Sequence, residues 1–184
     1  MPTSKLFTAC LLAGLLSAVM CWVGDYWLGD ESILSGPYPG IVLGMVVFSL
    51  GEYLHAVPAQ RSMWSALLLV MFTVIGWSFS MRAYMHGDPI PFVVAGEAGA
   101  ISVALGAMFA WRIKEGRLRF VLVITGAGIL GGLVFQALES LFDMSGDIWM
   151  LVMYLEWQVI LLLGIGLALK GYRTKHLIEA VHEQ

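Results

Sequence analysis

Six long apolar runs follow one another along the chain with only short polar interruptions, and this pattern constrains the fold more than any other feature. They cover about Leu6 to Trp22, Ile41 to Val57, Trp64 to Met81, Pro91 to Trp111, Phe120 to Phe142 and Ile148 to Leu169. A helix needs roughly 20 apolar residues to cross about 30 Å of hydrocarbon. Each run is therefore read as a transmembrane helix. The runs are continuous rather than alternating, which excludes a β-barrel. With 59% hydrophobic and 12% charged residues among 184 and a mean hydropathy of +0.83, the chain lies far from soluble domains. Little sequence is left over, so the expectation is one all-α, six-helix transmembrane domain over residues 1–184, with no soluble domain.

Basic residues collect in cytoplasmic loops. With an inside N-terminus, Lys5, Arg61, Arg112, Lys114, Arg117, Arg119, Lys170, Arg173 and Lys175 all fall inside, and Arg82 alone falls outside. The outer connections carry Asp25, Asp30, Glu31, Asp88, Asp143 and Asp147. This predicts a multi-pass protein of a cell membrane, of the bacterial inner-membrane type, with both termini cytoplasmic. Lys5 followed by "LFTACLLAGLLSAV" also has the outline of a signal peptide, although its cleavage-site pattern is poor. The short basic loop in "WRIKEGRLRF" is an ordinary topology anchor near anionic lipid. Nothing in the charge pattern supports nucleic-acid binding.

Fixing each span's direction gives its polar residues a depth. Glu97, in the fourth span, lies roughly 9 Å below the outer surface, and Glu156, in the sixth, roughly 12 Å, at 1.5 Å per residue. On the fifth span Gln136, Glu139, Ser140 and Asp143 recur at i, i+3, i+4, i+7, a polar stripe on an apolar helix. On the third, Ser78, Arg82 and His86 recur every four residues. Asp25 ends the first span at the same level. Ionisable residues inside spans face the bundle interior or water and pair with one another, so these groups are expected to share a hydrated pocket. Glu97, Glu156, Glu139, Gln136, Arg82 and Trp157 would contact the solute, with Asp25, His86 and Asp143 at the mouth.

Carboxylates outnumber cations in this set. Either some are protonated or a cation from outside the sequence shares the site. The competing account is structural: buried Glu and Gln can simply join helices through hydrogen bonds worth about 0.6 to 2 kcal/mol. Aromatic residues mark the same level, namely Trp22, Tyr26, Trp27, Tyr38, Trp77, Tyr84, Trp149, Tyr154 and Trp157. Most fit an interfacial belt, but Trp157 beside Glu156 lies deeper. Carboxylates with aromatic walls suit an organic cation.

Glu52 and His55 in "GEYLH" stand apart, near the inner end of the second span. Their i, i+3 spacing is half of a carboxylate-bridged di-metal motif, which needs a second such pair. An inner proton relay or a local hydrogen-bonded pair fits better, and no metal or cofactor is called for. Cys10 and Cys21 are roughly 16 Å apart along one helix, too far to bridge. Hydrolase, zinc-protease and phosphate-loop signatures are lacking.

Small residues at Ala9, Ala13 and Ser17, at Gly96, Ala100 and Ala104, and in "GAGILGGL" predict close helix packing. In size and span number the chain resembles the substrate-binding subunits of energy-coupling-factor vitamin transporters. Ala9-x-x-x-Ala13 is similar to the small-residue face with which those subunits dock their transmembrane partner. The resemblance carries over no ligand residues. The expected role is binding or moving a small, cationic or proton-coupled solute within the lipid bilayer. A membrane enzyme acting on a lipid or isoprenoid through Arg82, His86 and the outer carboxylates is the first alternative. An accessory subunit, with a membrane-protein partner or a second copy of the chain, is the other.

Overall fold

The computed structural model describes residues 3–28, 36–54, 63–85, 90–142 and 146–182, and side chains of the last helix only over 148–170. These residues form six helices: α1 Thr3–Leu28, α2 Tyr38–Tyr53, α3 Met63–Met85, α4 Pro91–Ala110, α5 Arg117–Leu141 and α6 Gly146–His182. Five of them are long and apolar enough to cross a membrane. The shorter one is α2, which at 16 residues rises about 24 Å. The expected second span ran on to Val57, and its last three residues lie outside the described ones.

Each helix packs against its sequence neighbours, and α6 closes back onto α1, so the helices form a ring. Short connections favour this order, because they leave consecutive helices antiparallel and adjacent. Lipid tails are as apolar as these side chains, so the ring is held by close van der Waals packing and interhelical hydrogen bonds rather than by the hydrophobic effect. Small residues make the close approach possible. A Cβ on Gly96 would run into the Gly128 carbonyl of α5, one on Gly40 or Gly44 into the backbone of α3, and one on Gly14 into Val159 of α6. Hydroxyls add specific bonds. Thr73 Oγ1 donates to the Gly40 carbonyl at 2.7 Å, joining α3 to α2, and Ser80 Oγ donates to the Ala95 carbonyl at 2.7 Å, joining α3 to α4. Each such bond contributes about 0.6 kcal/mol in a membrane.

The two ends of the ring differ. Toward the α4–α5 connection the interior is filled by Leu69, Trp111, Ile113, Ile124, Leu161, Leu162, Ile165 and Leu169, none more than 1% exposed. The Trp111 ring lies over Gly51, where a Cβ would not fit, and meets Phe120 edge-on with centroids 6.3 Å apart. Ala9 and Ala13 pack against this core from α1. That small-residue face is thus used inside the chain. Cys10 and Cys21 are buried free thiols. At the opposite end, beside the α3–α4 and α5–α6 connections, packing is incomplete.

Candidate functional site: an aromatic cavity with one carboxylate

The gap at that end is a small, half-open cavity. Four helices build it. α3 contributes Trp77, Ser80, Met81 and Tyr84; α4 contributes Phe92, Ala95 and Gly96; α5 contributes Gly132 and Phe135; α6 contributes Met153, Tyr154, Glu156 and Trp157. Gly96 and Gly132 matter because the α4 and α5 backbones nearly touch there, with Gly132 against Phe92 and Val93. That contact seals one wall without side chains.

Aromatic rings make up most of the rest. Trp77 stacks on Tyr154 at 5.6 Å and lies 6.4 Å from Trp157. Phe92 meets Phe135 edge-on at 4.7 Å. Offset and edge-on pairs of this kind contribute about 0.5 to 1.5 kcal/mol beyond the area they bury. Trp157 reaches from α6 across to α4 and α5, because its ring lies against Gly99 and Gly131. Its indole also packs on the filled core, making it the floor between cavity and core.

Glu156 is the one ionisable carboxylate among the lining residues. Both of its oxygens are shielded from solvent and have no hydrogen-bond partner, and the same holds for Trp157 Nε1. A Cβ on Gly131 would stand 3.4 Å from Glu156 Oε1 and 3.1 Å from Trp157 Cδ1. Carboxylate and indole edge therefore share one corner, between α5 and α6. Trp111 Nε1, Thr125 Oγ1 and Gln158 Oε1 are also buried without partners. Those groups are neutral, and leaving them unpaired costs less than stranding an ionised acid. No Lys or Arg lines the cavity among the described residues.

The other expected site residues fall around this corner rather than in it. Glu97 is half-buried and outside the cavity wall, which α4 supplies from Phe92, Ala95 and Gly96. Position 97 is about 140° around the helix from position 92, so the structure does not bring Glu97 and Glu156 together at this cavity. Arg82 and Ser78 are exposed on α3, and Ser78 Oγ donates back to the Val74 carbonyl of its own helix at 2.9 Å. On α3 the cavity takes Ser80 instead. Glu139 is exposed and accepts from Trp149 Nε1 at 3.2 Å. Trp149 in turn packs on Phe135. Gln136 is half-buried and does not line the cavity. Asp25 accepts a hydrogen bond from the Tyr154 hydroxyl, so it anchors one aromatic wall. Glu52 is half-buried at the end of α2. His55, His86 and Asp143 lie outside the described residues, and so does the pairing of Glu52 with His55.

Three features had no counterpart in the sequence reading. The α1–α6 contact holds a second polar line, in which Gln158 Nε2 donates to Cys21 Sγ at 3.2 Å and the Cys21 thiol faces the Pro39 carbonyl at 3.8 Å. Phe92 and Phe135 form cavity wall. Ser80 ties the α3 side of the cavity to the Ala95 carbonyl of α4. The i, i+4 spacing of Tyr154 and Gln158, facing Asp25 and Cys21 at the same spacing, was the available signal for the first. Among the described residues, no three His, Cys, Asp or Glu side chains gather as a metal-binding group.

Helix length, composition and packing define the chain as a multi-pass helical membrane protein. Compared with family models, curated proteins and solved structures, the chain has no match.

Proposed function

We propose that this chain binds, or moves across a membrane, a small cationic solute, held in the aromatic cavity with Glu156 as its counter-charge. The observation that carries the reading is the pair of buried, unpartnered oxygens on Glu156, a residue that lines a cavity with no Lys or Arg among its described lining residues. An ionised carboxylate held out of water costs several kcal/mol unless paired. A solute cation supplies the partner that lets this acid carry its charge out of water, and the rings of Trp77, Tyr154 and Trp157 can add cation–π attraction of about 0.5 to 2 kcal/mol. Glu156 and Trp157 are the direct contacts in this proposal. Asp25 and Glu139 act through the aromatic walls they hold, Tyr154 and Trp149.

The same reading takes α2 as a sixth, short span, places both termini in the cytoplasm and opens the cavity to the outer side. The distribution of Lys and Arg supports this orientation. It treats the chain as one transmembrane domain of a cell membrane.

A thermal-shift screen of the purified protein against amines, vitamins, metal ions and lipid head groups tests the proposal. A stabilising cation whose effect disappears in Glu156→Gln and persists in Glu97→Gln is the expected result. Equal stabilisation of Glu156→Gln would contradict it, and so would a screen in which cations have no effect.

A further inference from the structure

Resting on that reading, the geometry points to the kind of cation: we infer that the site selects a protonated amine that still carries N–H, and discriminates against a quaternary ammonium. Aromatic walls alone would favour the opposite, since cages of Trp and Tyr rings are well suited to quaternary nitrogen. What decides is the state of Glu156. Its two oxygens lie out of solvent with no donor from any described residue. A carboxylate offers about four lone-pair sites, and in a site without water these need donors as well as charge. Methyl groups on a quaternary nitrogen keep the charge at a distance and satisfy none of the lone pairs. An N–H makes a charge-assisted bond of about 2.7 to 2.9 Å, roughly twice as strong as a neutral one.

The corner is also narrow. Gly131 leaves its Cβ volume empty beside Glu156 Oε1 and Trp157 Cδ1, at 3.4 and 3.1 Å, so an added methyl there would crowd both. The Trp157 Nε1–H, itself unpartnered, can take an oxygen carried by the same ligand.

Isothermal titration calorimetry on the full-length wild-type protein in detergent, with protein-free micelles as blank, tests this with one matched series: 2-phenylethylammonium, its N,N-dimethyl and N,N,N-trimethyl derivatives, and neutral 2-phenylethanol. The primary and the dimethyl ammonium, which both keep N–H, should bind within a few-fold of each other. The trimethyl compound should bind at least tenfold more weakly. Equal or tighter binding of the trimethyl compound would overturn the N–H requirement while leaving a cation-binding cavity standing. A drop already at the dimethyl compound would replace the requirement with one of size, and overturn it too. No binding of any ammonium, or equal binding of the neutral alcohol, would overturn the underlying reading instead. Gly131→Ala should abolish the preference. Gly126→Ala, on the same helix with no neighbour within 4 Å of its Cβ position, should keep it. Unchanged binding in Gly131→Ala would place the ammonium away from Glu156 and overturn the assignment.

Discussion

The two halves of this bundle are built from the same helices and fill their interiors differently. Around Trp111 the interior is filled by large side chains buried against one another, and glycines such as Gly51 serve to admit a ring. Around Glu156 glycines serve to bring backbones together, and the aromatic rings are spread as walls. Trp157 marks the division, with one side on the packed core and the other on the cavity. A core of tight, complementary packing favours stability, whereas a walled gap holding an unpaired acid lowers it. The difference shows where this chain gives up stability, which is where binding is proposed.

Substitutions in the two halves should therefore behave oppositely. The largest effect is expected at the packed end: Trp111→Ala removes a fully buried ring and should destabilise by about 3 to 5 kcal/mol, read as a fall in the unfolding midpoint in detergent. A comparable midpoint for wild type and variant would show that this end is not the mechanical core. Next comes Gly96→Ala, on the sealed α4–α5 wall. An added methyl there meets backbone rather than a movable side chain, and overpacking of this kind costs about 1 to 3 kcal/mol. Cation-induced stabilisation should fall with it, because the wall moves.

Glu156→Met should run the other way. Replacing the unpaired acid by an apolar side chain of similar length should raise the midpoint, by on the order of 1 kcal/mol, while eliminating cation binding. A destabilised Glu156→Met variant would mean that the carboxylate has a structural partner. The smallest change belongs to Ser80→Ala, which loses one bond to the Ala95 carbonyl and about 0.6 kcal/mol, with cation affinity nearly unchanged. A shift several times larger would make Ser80 part of the binding wall in more than position.

The helices themselves were legible in the sequence. The apolar run from Pro91 ends at Trp111 and α4 ends at Ala110; the run from Phe120 to Phe142 became Arg117–Leu141. Length and hydropathy are one-dimensional quantities, and they survive folding. Glu156 and Trp157 could be singled out for the same reason, as polar and aromatic groups too deep for an interface. What the sequence did not carry is rotation. A soluble helix announces its buried face by an apolar stripe, but a helix that is apolar all round has none. The sequence reading set Glu97 and Glu156 at similar depths, yet of the two only Glu156 is among the residues that line the cavity. The i, i+4 edge of Ser78 and Arg82 is real and exposed, while the neighbouring Ser80, two residues from Ser78, faces inward. Phe92 and Phe135 looked like any lipid-facing phenylalanine, and their role as wall depends on the Gly132 contact between α4 and α5. Trp111 and Phe120 gave no sign that the two ends of the bundle would differ.

The central claim is that the Glu156 carboxylate meets the bound cation. Difference infrared spectroscopy, recorded as 2-phenylethylammonium is added to the protein, observes that group directly through its carboxyl stretching bands. The account predicts one perturbed carboxyl band in the wild type that is missing from Glu156→Gln and retained in Glu97→Gln. Identical spectra with and without the amine, or a band that persists in Glu156→Gln, would contradict it.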